Sequence, residues 1–543
     1  MLTDVSTHPQ IRLTTNTMKS PFSFKATPIE DVVGPNLAPI MKNDTTAWYK
    51  KHHLVMLNLL LLIPIMSSGT NGYDGSLMNG LQSLETWRDQ FGHPHGTMLG
   101  FVNAAQCFGA LMGSLMASWF ADHLGRKKSL VFGLSGIVIA TIIQSTSKGL
   151  GQLIASRWIL GSFGQVAMQA SPMLIAELAY PSHRGKLTAV FNTFFYAGAI
   201  LASWTCYGVS KKTSSWGWRI PTLLQMGYPL LQLCFLYFLP ESPRWLIAHN
   251  RHNEAREILE KYHSGGNEDS ELVSAEMGEI TEAIEMDKQS KSTSWLQLVK
   301  TPGNRKRTYI AITIAIASQW AGNAVISYYF TLVLDTIGYT GPTTQTLING
   351  LLQIFNFVVA VGASLMVDRV GRRGLLLASS IGMLISYVIW TVLSQRFEST
   401  HTKGYGQGVL AFIFIYFFCY DIGYTPLVVA YPSEIFPFYL RAKGLTVSNA
   451  SVQSSLIVGG FCNSIAMTNL GWKYYIVFCV LDFLIVLNVY FFYPETKGYS
   501  LEEIAQIFDG DDADSVDVEI AGGLESGSFE KRDSSSNSEF ASF

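Results

Sequence analysis

Twelve predominantly apolar stretches of 19 to 26 residues recur along this chain and leave few folds open to it. They lie at 54–78, 97–121, 129–147, 151–176, 186–208 and 218–239, then at 308–332, 345–367, 374–394, 406–431, 443–467 and 474–493. A hydrocarbon layer about 30 Å thick is crossed by roughly 20 helical residues rising about 1.5 Å each, and a helix satisfies its own backbone there. The expected fold is therefore an all-α membrane protein with twelve transmembrane helices. Composition agrees: 48% of the 543 residues are hydrophobic and only 14% charged, whereas soluble domains carry roughly 25% charged residues.

Several function classes drop out. Net charge is −2, so no basic excess calls for nucleic acid, and no GxxxxGK[ST] loop suggests nucleotide hydrolysis. The six cysteines, Cys107, Cys206, Cys234, Cys419, Cys462 and Cys479, fall inside apolar stretches without metal-site or disulfide spacing. His93, His95 and His401 lie in loops as solvated residues, no metal set is formed, and no cofactor motif is present. No paired catalytic carboxylates or nucleophile constellation supports an enzyme. The first apolar stretch is too long for a signal-peptide core and stays as a transmembrane helix.

Domain organisation follows from the spans: an N-terminal tail at 1–53, a six-helix bundle at 54–239, a polar linker at 240–307, a second six-helix bundle at 308–493 and a tail at 494–543. The even-numbered connections carry Arg126, Lys127, Lys128, Arg184, Lys186, Arg369, Arg372, Arg373, Arg441 and Lys443. Together with Lys50, Lys51, Arg244, Arg305, Lys306, Arg307 and Lys497 they place both termini and the linker in the cytoplasm. Within the linker, "NEAREILEKYH" and "SELVSAEMGEITEAIEMD" repeat apolar residues at three to four positions and read as amphipathic helices. The tail after Phe508 is acidic and then Ser-rich, too polar to bury a core; it is either a solvated tail or a phosphorylation or turnover signal.

The two halves repeat each other. "ADHLGRKKS" returns as "VDRVGRRGL", "IAELAYPSHRGK" as "PSEIFPFYLRAKG", and "LPESPRW" as "YPETKGY". Asp122 pairs with Asp368, Glu177 with Glu434, Arg184 with Arg441 and Glu241 with Glu495 at separations of 246 to 257 residues. These charges, with Arg126, Arg244 and Arg372, all sit at one set of helix ends. There they serve either as a cytoplasmic gate, with Asp122 against Arg126 or Glu177 against Arg184 pairing when the inner face is closed, or simply as topology signals. Exposed pairs contribute about 0–1 kcal/mol each, but several together bias a nearly balanced equilibrium.

These motifs resemble those of the sugar porters of the major facilitator superfamily over roughly residues 54 to 508, in order and in both halves. "QWAGNAVISYY" and "WTCYGV" are most similar to fungal lactose, cellodextrin and hexose permeases. The resemblance implies alternating access by two six-helix bundles around a central sugar site. Amides and aromatic faces suit sugar hydroxyls, which both donate and accept. Gln319 and Asn323 are four apart in the seventh span and share a helix face. By resemblance Gln319 and Asn356 are sugar ligands, Tyr328 and Tyr329 form the outer gate, and Asn192 and Gln453 stand at or next to polar positions of the family site. Departures are visible: Ser318 precedes Gln319, Asn323 comes one residue early, Asn192 replaces a glutamine, and Val429 stands where many members have tryptophan. The smaller groups at Asn192 and Val429 either make room for a disaccharide or reflect drift around a monosaccharide. Each amide also has a plain alternative as interhelical glue. Asp421 occupies a family acidic position at the inner end of the sugar path; Asp482 has no family counterpart.

Asp74 and Arg157 remain. An intramembrane charge costs about 2.5–3.5 kcal/mol by insertion scales and calls for a partner and a function. The two reach similar depth in the first and fourth spans, and by resemblance they match the acid and arginine that couple protons in family symporters. They form either a coupling device or a permanent bridge. The sequence-level reading is a plasma-membrane sugar transporter that uses the bilayer, a sugar and protons as partners, working as a sugar:proton symporter. A passive facilitator and a sugar sensor are the alternatives, and the sugar is either a disaccharide or a hexose or pentose.

Overall fold

The computed structural model describes residues 37–42, 47–267, 269–291, 294–497 and 501–509; the tails at 1–36 and 510–543, on which the tail expectations fall, lie outside them. Among the described residues all regular structure is helical. The spanning helices are α1 (His52–Ser83), α2 (Gly96–Leu124), α3 (Arg126–Ser145), α4 (Leu150–Leu178) and α5 (Arg184–Val209). α6 comes in two parts, Trp216–Leu224 and Gly227–Phe235, and so does α7, Pro302–Trp320 and Asn323–Thr336. Then follow α8 (Pro342–Val370), α9 (Arg372–Thr400), α10 (Lys403–Ile435), α11 (Phe438–Leu470) and α12 (Tyr475–Phe492).

Packing repeats the sequence duplication. In the first half α2 packs on α4, α3 on α4 and α1 on α5; in the second α8 packs on α10, α9 on α10 and α7 on α11. The halves meet along α2 against α11 and α5 against α8, a pair of contacts that the duplication exchanges. Glycine lets backbones within a half approach closely. A β-carbon at Gly109, Gly113 or Gly161 would overlap the carbonyl oxygen of Trp158, Ser162 or Gln106, so α2 and α4 touch main chain to main chain. In lipid, where apolar burial drives little helix association, such contact supplies the packing.

Two spans expected to be continuous are broken. α7 stops at Trp320 and restarts at Asn323 because Gly322 takes a left-handed φ of 98°, and a side chain there would overlap the Tyr387 ring. The carbonyls released by the break are taken up by tyrosines: Tyr420 donates to Ser318 O at 3.0 Å, Tyr416 to Ala321 O at 2.9 Å and Tyr387 to Gly322 O at 3.2 Å. In α6 the amides of Gln225 and Met226 bond three residues back, to Thr222 O and Leu223 O. Tyr73 of α1 donates instead to the Pro221 carbonyl, at 2.8 Å.

The linker forms helices at Pro243–Ala248, His252–Leu259 and Glu271–Lys291, with a π turn at Glu260–Ser264, where the sequence places two amphipathic segments. Buried His263 lies between the Glu276 carboxylate, 2.7 Å from Nδ1, and the Leu178 carbonyl at the end of α4, 3.2 Å from Nε2. The tail begins with a docked helix, Leu501–Asp509: Ile504 and Phe508 join the core of the second half, and Asp509 accepts two bonds from buried Arg307, at 3.0 and 2.7 Å.

The α2–α4 contact gives a direct test. Gly161→Leu is expected to lower stability by about 1–3 kcal/mol through overpacking, read as a lower melting temperature in detergent. Gly151→Leu in the same helix, where a β-carbon meets open space, should leave it unchanged.

Candidate functional site

Asp74 is the centre from which the site is built. It lies buried in α1, 2% exposed, facing the break in α6. Gln225, held in that break, donates Nε2 to Asp74 Oδ1 at 2.9 Å, and Gln106 of α2 donates Nε2 to Oδ2. The other end of the Gln106 amide accepts from Arg157 Nη2 at 2.7 Å, while Arg157 Nε donates to the Val102 carbonyl at 2.8 Å. The expected direct pairing of Asp74 with Arg157 is therefore corrected: among the described residues they form no ion pair, and Gln106 stands between them. The cause is α2, whose close approach to α4 brings an amide into the space between acid and base.

Two cavities open beside this centre. One, of about 330 Å³, is lined by Asp74 with Asn71, Gln106, Gln165, Gln225, Gln319, Tyr328 and Gln453, among others. The second, of about 360 Å³, is lined by Asn79, Asn192, Gln319, Asn323, Asn349, Gln353, Asn356, Asp421 and Val429, among others. Met168, Phe195, Gln319 and Tyr328 line both, so the two cavities adjoin at these side chains. The structure thus gathers Gln319, Asn323, Asn356, Asn192, Tyr328 and Gln453 around one cavity system. Gln319 and Asn323 do not share a continuous helix face, because the α7 break falls between them; they meet at the second cavity by flanking the break.

Tyr329 departs from its neighbour. Its backbone leaves helical geometry at φ −134°, ψ 26°, and its ring packs into the apolar cluster around Tyr73, Leu77 and Val102, with its hydroxyl on the Gly460 carbonyl. It seals the side away from the linker rather than lining a cavity. On that side Asn79 Nδ2 donates to Ile326 O at 3.1 Å, Gln82 to Tyr328 O at 3.1 Å and Ser464 to Gly96 O at 2.7 Å, joining the halves. Deeper in, Tyr196 of α5 donates to Asp421 Oδ1 of α10 at 2.9 Å, and Thr425 donates to the same oxygen at 2.7 Å. Asp482 is fully buried, and among the described residues neither of its oxygens has a hydrogen-bond partner.

On the linker side, the repeated charges form two matching clusters. Arg126 at the start of α3 makes a bidentate contact to Glu177 of α4 at 2.9 and 3.0 Å; Arg372 at the start of α9 contacts Glu434 of α10 at 3.0 and 3.1 Å. Glu241 accepts from the backbone amides of Arg126 and Lys127, and Glu495 from those of Arg372 and Arg373, so each carboxylate caps a helix N-terminus. Gly125 and Gly371, both at positive φ (94° and 99°), make room for those carboxylates, which a β-carbon would crowd. Ser242 and Thr496 complete the clusters with hydroxyl bonds to Glu177 and Glu434.

Of the two expected pairs, Asp122 meets Arg126 at 3.9 Å, a long ion pair, whereas Arg184 does not pair with Glu177 among the described residues, and that expectation is corrected. Arg184 donates to the Ala179 carbonyl and faces Glu279 of the linker, whose carboxyl is held above its usual range by desolvation in spite of that arginine. Arg244 lines a cavity of about 550 Å³ with Arg126 and Glu177, and Arg441 begins α11 half-buried. The Asp368 side chain lies outside the described residues.

A family model described as "Sugar (and other) transporter" matches residues 60–508. The chain belongs to this family of sugar transporters. Among relatives, "MFS-type transporter criB" of Aspergillus cristatus is 31% identical over 441 residues, 81% of this chain and 90% of that one. The "High-affinity glucose transporter" of Kluyveromyces lactis is 27% identical over 482 residues, 85% and 87% of the two chains. The fold matches that of the xylose transporter XylE from E. coli in an inward open conformation, with TM-score 0.71 and 23% identity, covering 83% of this chain and all of that one. The relatives and neighbours are membrane transporters, not enzymes, and the twelve-helix architecture of the transporter is that of the major facilitator superfamily.

Sequence reasoning missed Gln106, Gln225, Asn71, Gln165, Asn79, Asn349 and Tyr196. Each amide was a signal in itself, since an amide inside an apolar span needs a partner; which partner depends on the rotation of each helix, which spacing alone does not give.

The clusters predict a graded response. Glu177→Ala strands a nearly buried guanidinium and is expected to cost about 3 kcal/mol. Glu434→Ala, in a more exposed copy, should cost roughly 1–2 kcal/mol, and Asp122→Asn about 0–1 kcal/mol. Thermal melts of the three variants should follow that order.

Proposed function

We propose that this sugar transporter works as a sugar:proton symporter of the plasma membrane by alternating access, with its linker side and both termini in the cytoplasm. The observation that carries this reading is the chain Asp74–Gln106–Arg157: an intramembrane acid whose two oxygens are held by neutral amides, one of them shared with a buried arginine. A static bridge calls for direct contact between acid and arginine. A bridge through an amide side chain is remade when that side chain turns, with the helices of the half in place. When the second half moves against the first, the groups it brings to the same cavity, Gln319, Tyr328 and Gln453, move past Gln106 and Asp74; the number of donors on the carboxylate changes, and proton exchange at Asp74 becomes tied to the movement. The structural neighbour XylE is a proton:xylose symporter, which supports the reading.

Gln319, Asn323, Asn356 and Asn192 supply the hydroxyl-binding amides. The substrate is a neutral sugar, either a disaccharide of the lactose or cellobiose type or a hexose or pentose. Tyr328, between the cavity wall and the sealed side, and Tyr329, within the seal, serve as the outer gate. The clusters around Arg126 and Glu177 and around Arg372 and Glu434 tie helix ends within each half and so set how readily the linker face opens.

Uptake of labelled sugars in a transport-deficient host tests this. Asp74→Asn is expected to abolish accumulation against a gradient while exchange and downhill flux persist, and a protonophore should do the same to the unaltered protein. Accumulation that survives both treatments overturns proton coupling. Merely equilibrating uptake points to a facilitator, and binding without uptake to a sensor.

Gln319→Ala is expected to weaken sugar binding about tenfold, the equivalent of roughly 1.4 kcal/mol, with normal membrane yield. Unchanged affinity in the folded variant would refute its place in the site.

A further inference from the structure

The two cavities are of nearly equal size, about 330 and 360 Å³, and each falls within the range of roughly 300–1,000 Å³ that small-molecule sites occupy. The second cavity holds the amides of α5, α7 and α8 described above. The first holds a separate set. Asn71 of α1, Gln165 of α4 and Gln453 of α11 line it, and among the described residues none of their side-chain amides makes a hydrogen bond to the protein. Gln106 and Gln225, in the same cavity, are already engaged with Asp74. An amide left without a partner within a membrane span is costly unless water or a ligand supplies one. Asn71 is exposed and Gln165 and Gln453 are half-buried, so all three present accessible amides to one compartment, from three helices of both halves.

The junction of the compartments is equally informative. Gln319 lines both, as do Phe195 and Tyr328, so an amide and two aromatic rings stand at the junction. That combination suits the link between two sugar rings, with the amide on the adjoining hydroxyls and the aromatic faces against the C–H faces of the rings.

We propose that the transporter takes a two-ring sugar, with one ring among Asn192, Asn323 and Asn356, the glycosidic link at Gln319, and the second ring among Asn71, Gln165 and Gln453. This inference rests on the sugar-transport reading and narrows it to disaccharides. It places the second ring in the compartment that contains Asp74, so the same ligand spans the sugar site and the acid centre.

The test is competition and uptake in a transport-deficient host. Labelled glucose and xylose are measured alongside labelled cellobiose and lactose, with unlabelled maltose and sucrose as competitors. The expected result is transport of at least one disaccharide, with apparent affinity at least tenfold above that for either monosaccharide. Gln165→Leu and, separately, Asn71→Leu should each lower the affinity for that disaccharide at least tenfold more than they lower the affinity for a monosaccharide. Fluorescence-detected size-exclusion profiles establish that each variant is folded, and having two variants keeps the test informative if one fails. If a monosaccharide is moved while no disaccharide is transported or competes, or if both variants weaken both ligand classes equally, the second-ring site is wrong and sugar transport stands. If the correctly inserted protein moves neither class, the underlying reading itself fails.

Discussion

A backbone carbonyl in hydrocarbon has no water to turn to, and the architecture of this transporter depends on how it meets that constraint. Ten of its spans keep the carbonyls occupied by remaining helical. The other two, α6 and α7, break beside the cavities, and tyrosines from neighbouring helices occupy the released groups: Tyr73 at Pro221, and Tyr416, Tyr387 and Tyr420 around Ala321. Tyr73 and Asp74 are adjacent and act on the same break, one on its backbone and the other on Gln225. The acid centre is thus fixed by the hydrogen bonding that makes the broken helix tolerable.

Two scales of interaction follow. In the first half glycines bring α2 and α4 into main-chain contact, and in both halves an arginine–glutamate pair ties helix ends together. Between the halves, scattered side-chain bonds do the joining, Asn79 to the Ile326 carbonyl and Phe330 amide, Asn349 to Ser203 and Tyr196 to Asp421. Interhelical bonds in membranes average only about 0.6 kcal/mol and reach about 2 kcal/mol. A few of them hold a closed face without fixing it, whereas the contacts inside each half resist deformation. Rocking of rigid halves is the motion that such a division of strength favours.

The number of spans, the six-plus-six repeat and the charged motifs were legible because they depend on length, hydropathy and local turns. Gly125 and Gly371 show why the motif reads so clearly: the positive φ and the incoming carboxylate both exclude a side chain, and Glu241 and Glu495 appear in the sequence as the matching Pro-Glu elements. What escaped was set by tertiary geometry. Gly322 and the Gln-Met-Gly-Tyr-Pro run were signs of broken helices, but apolar continuity outweighed them, and the shared face of Gln319 and Asn323 was inferred across one of those breaks. Gln106 lies between Asp74 and Arg157 only because α2 approaches α4 closely with one particular rotation. The divergence of Tyr328 and Tyr329 rests on a single non-helical residue.

The second part of α7 is also a lever. It starts after Gly322, bends at Tyr329, and is tied to α1 between Ile326 and Thr331 by Asn79, Gln82 and Ser83. At about 1.5 Å per residue these bonds lie roughly 6 to 14 Å from Gly322, so a tilt of about 10° there moves them by about 1 to 2.4 Å. The bonds farthest from the glycine, at Thr331, are therefore stretched most and part before those at Ile326. The tyrosines at the fulcrum belong to α9 and α10, outside the moving arm, so the pivot keeps its hydrogen bonds while the arm swings.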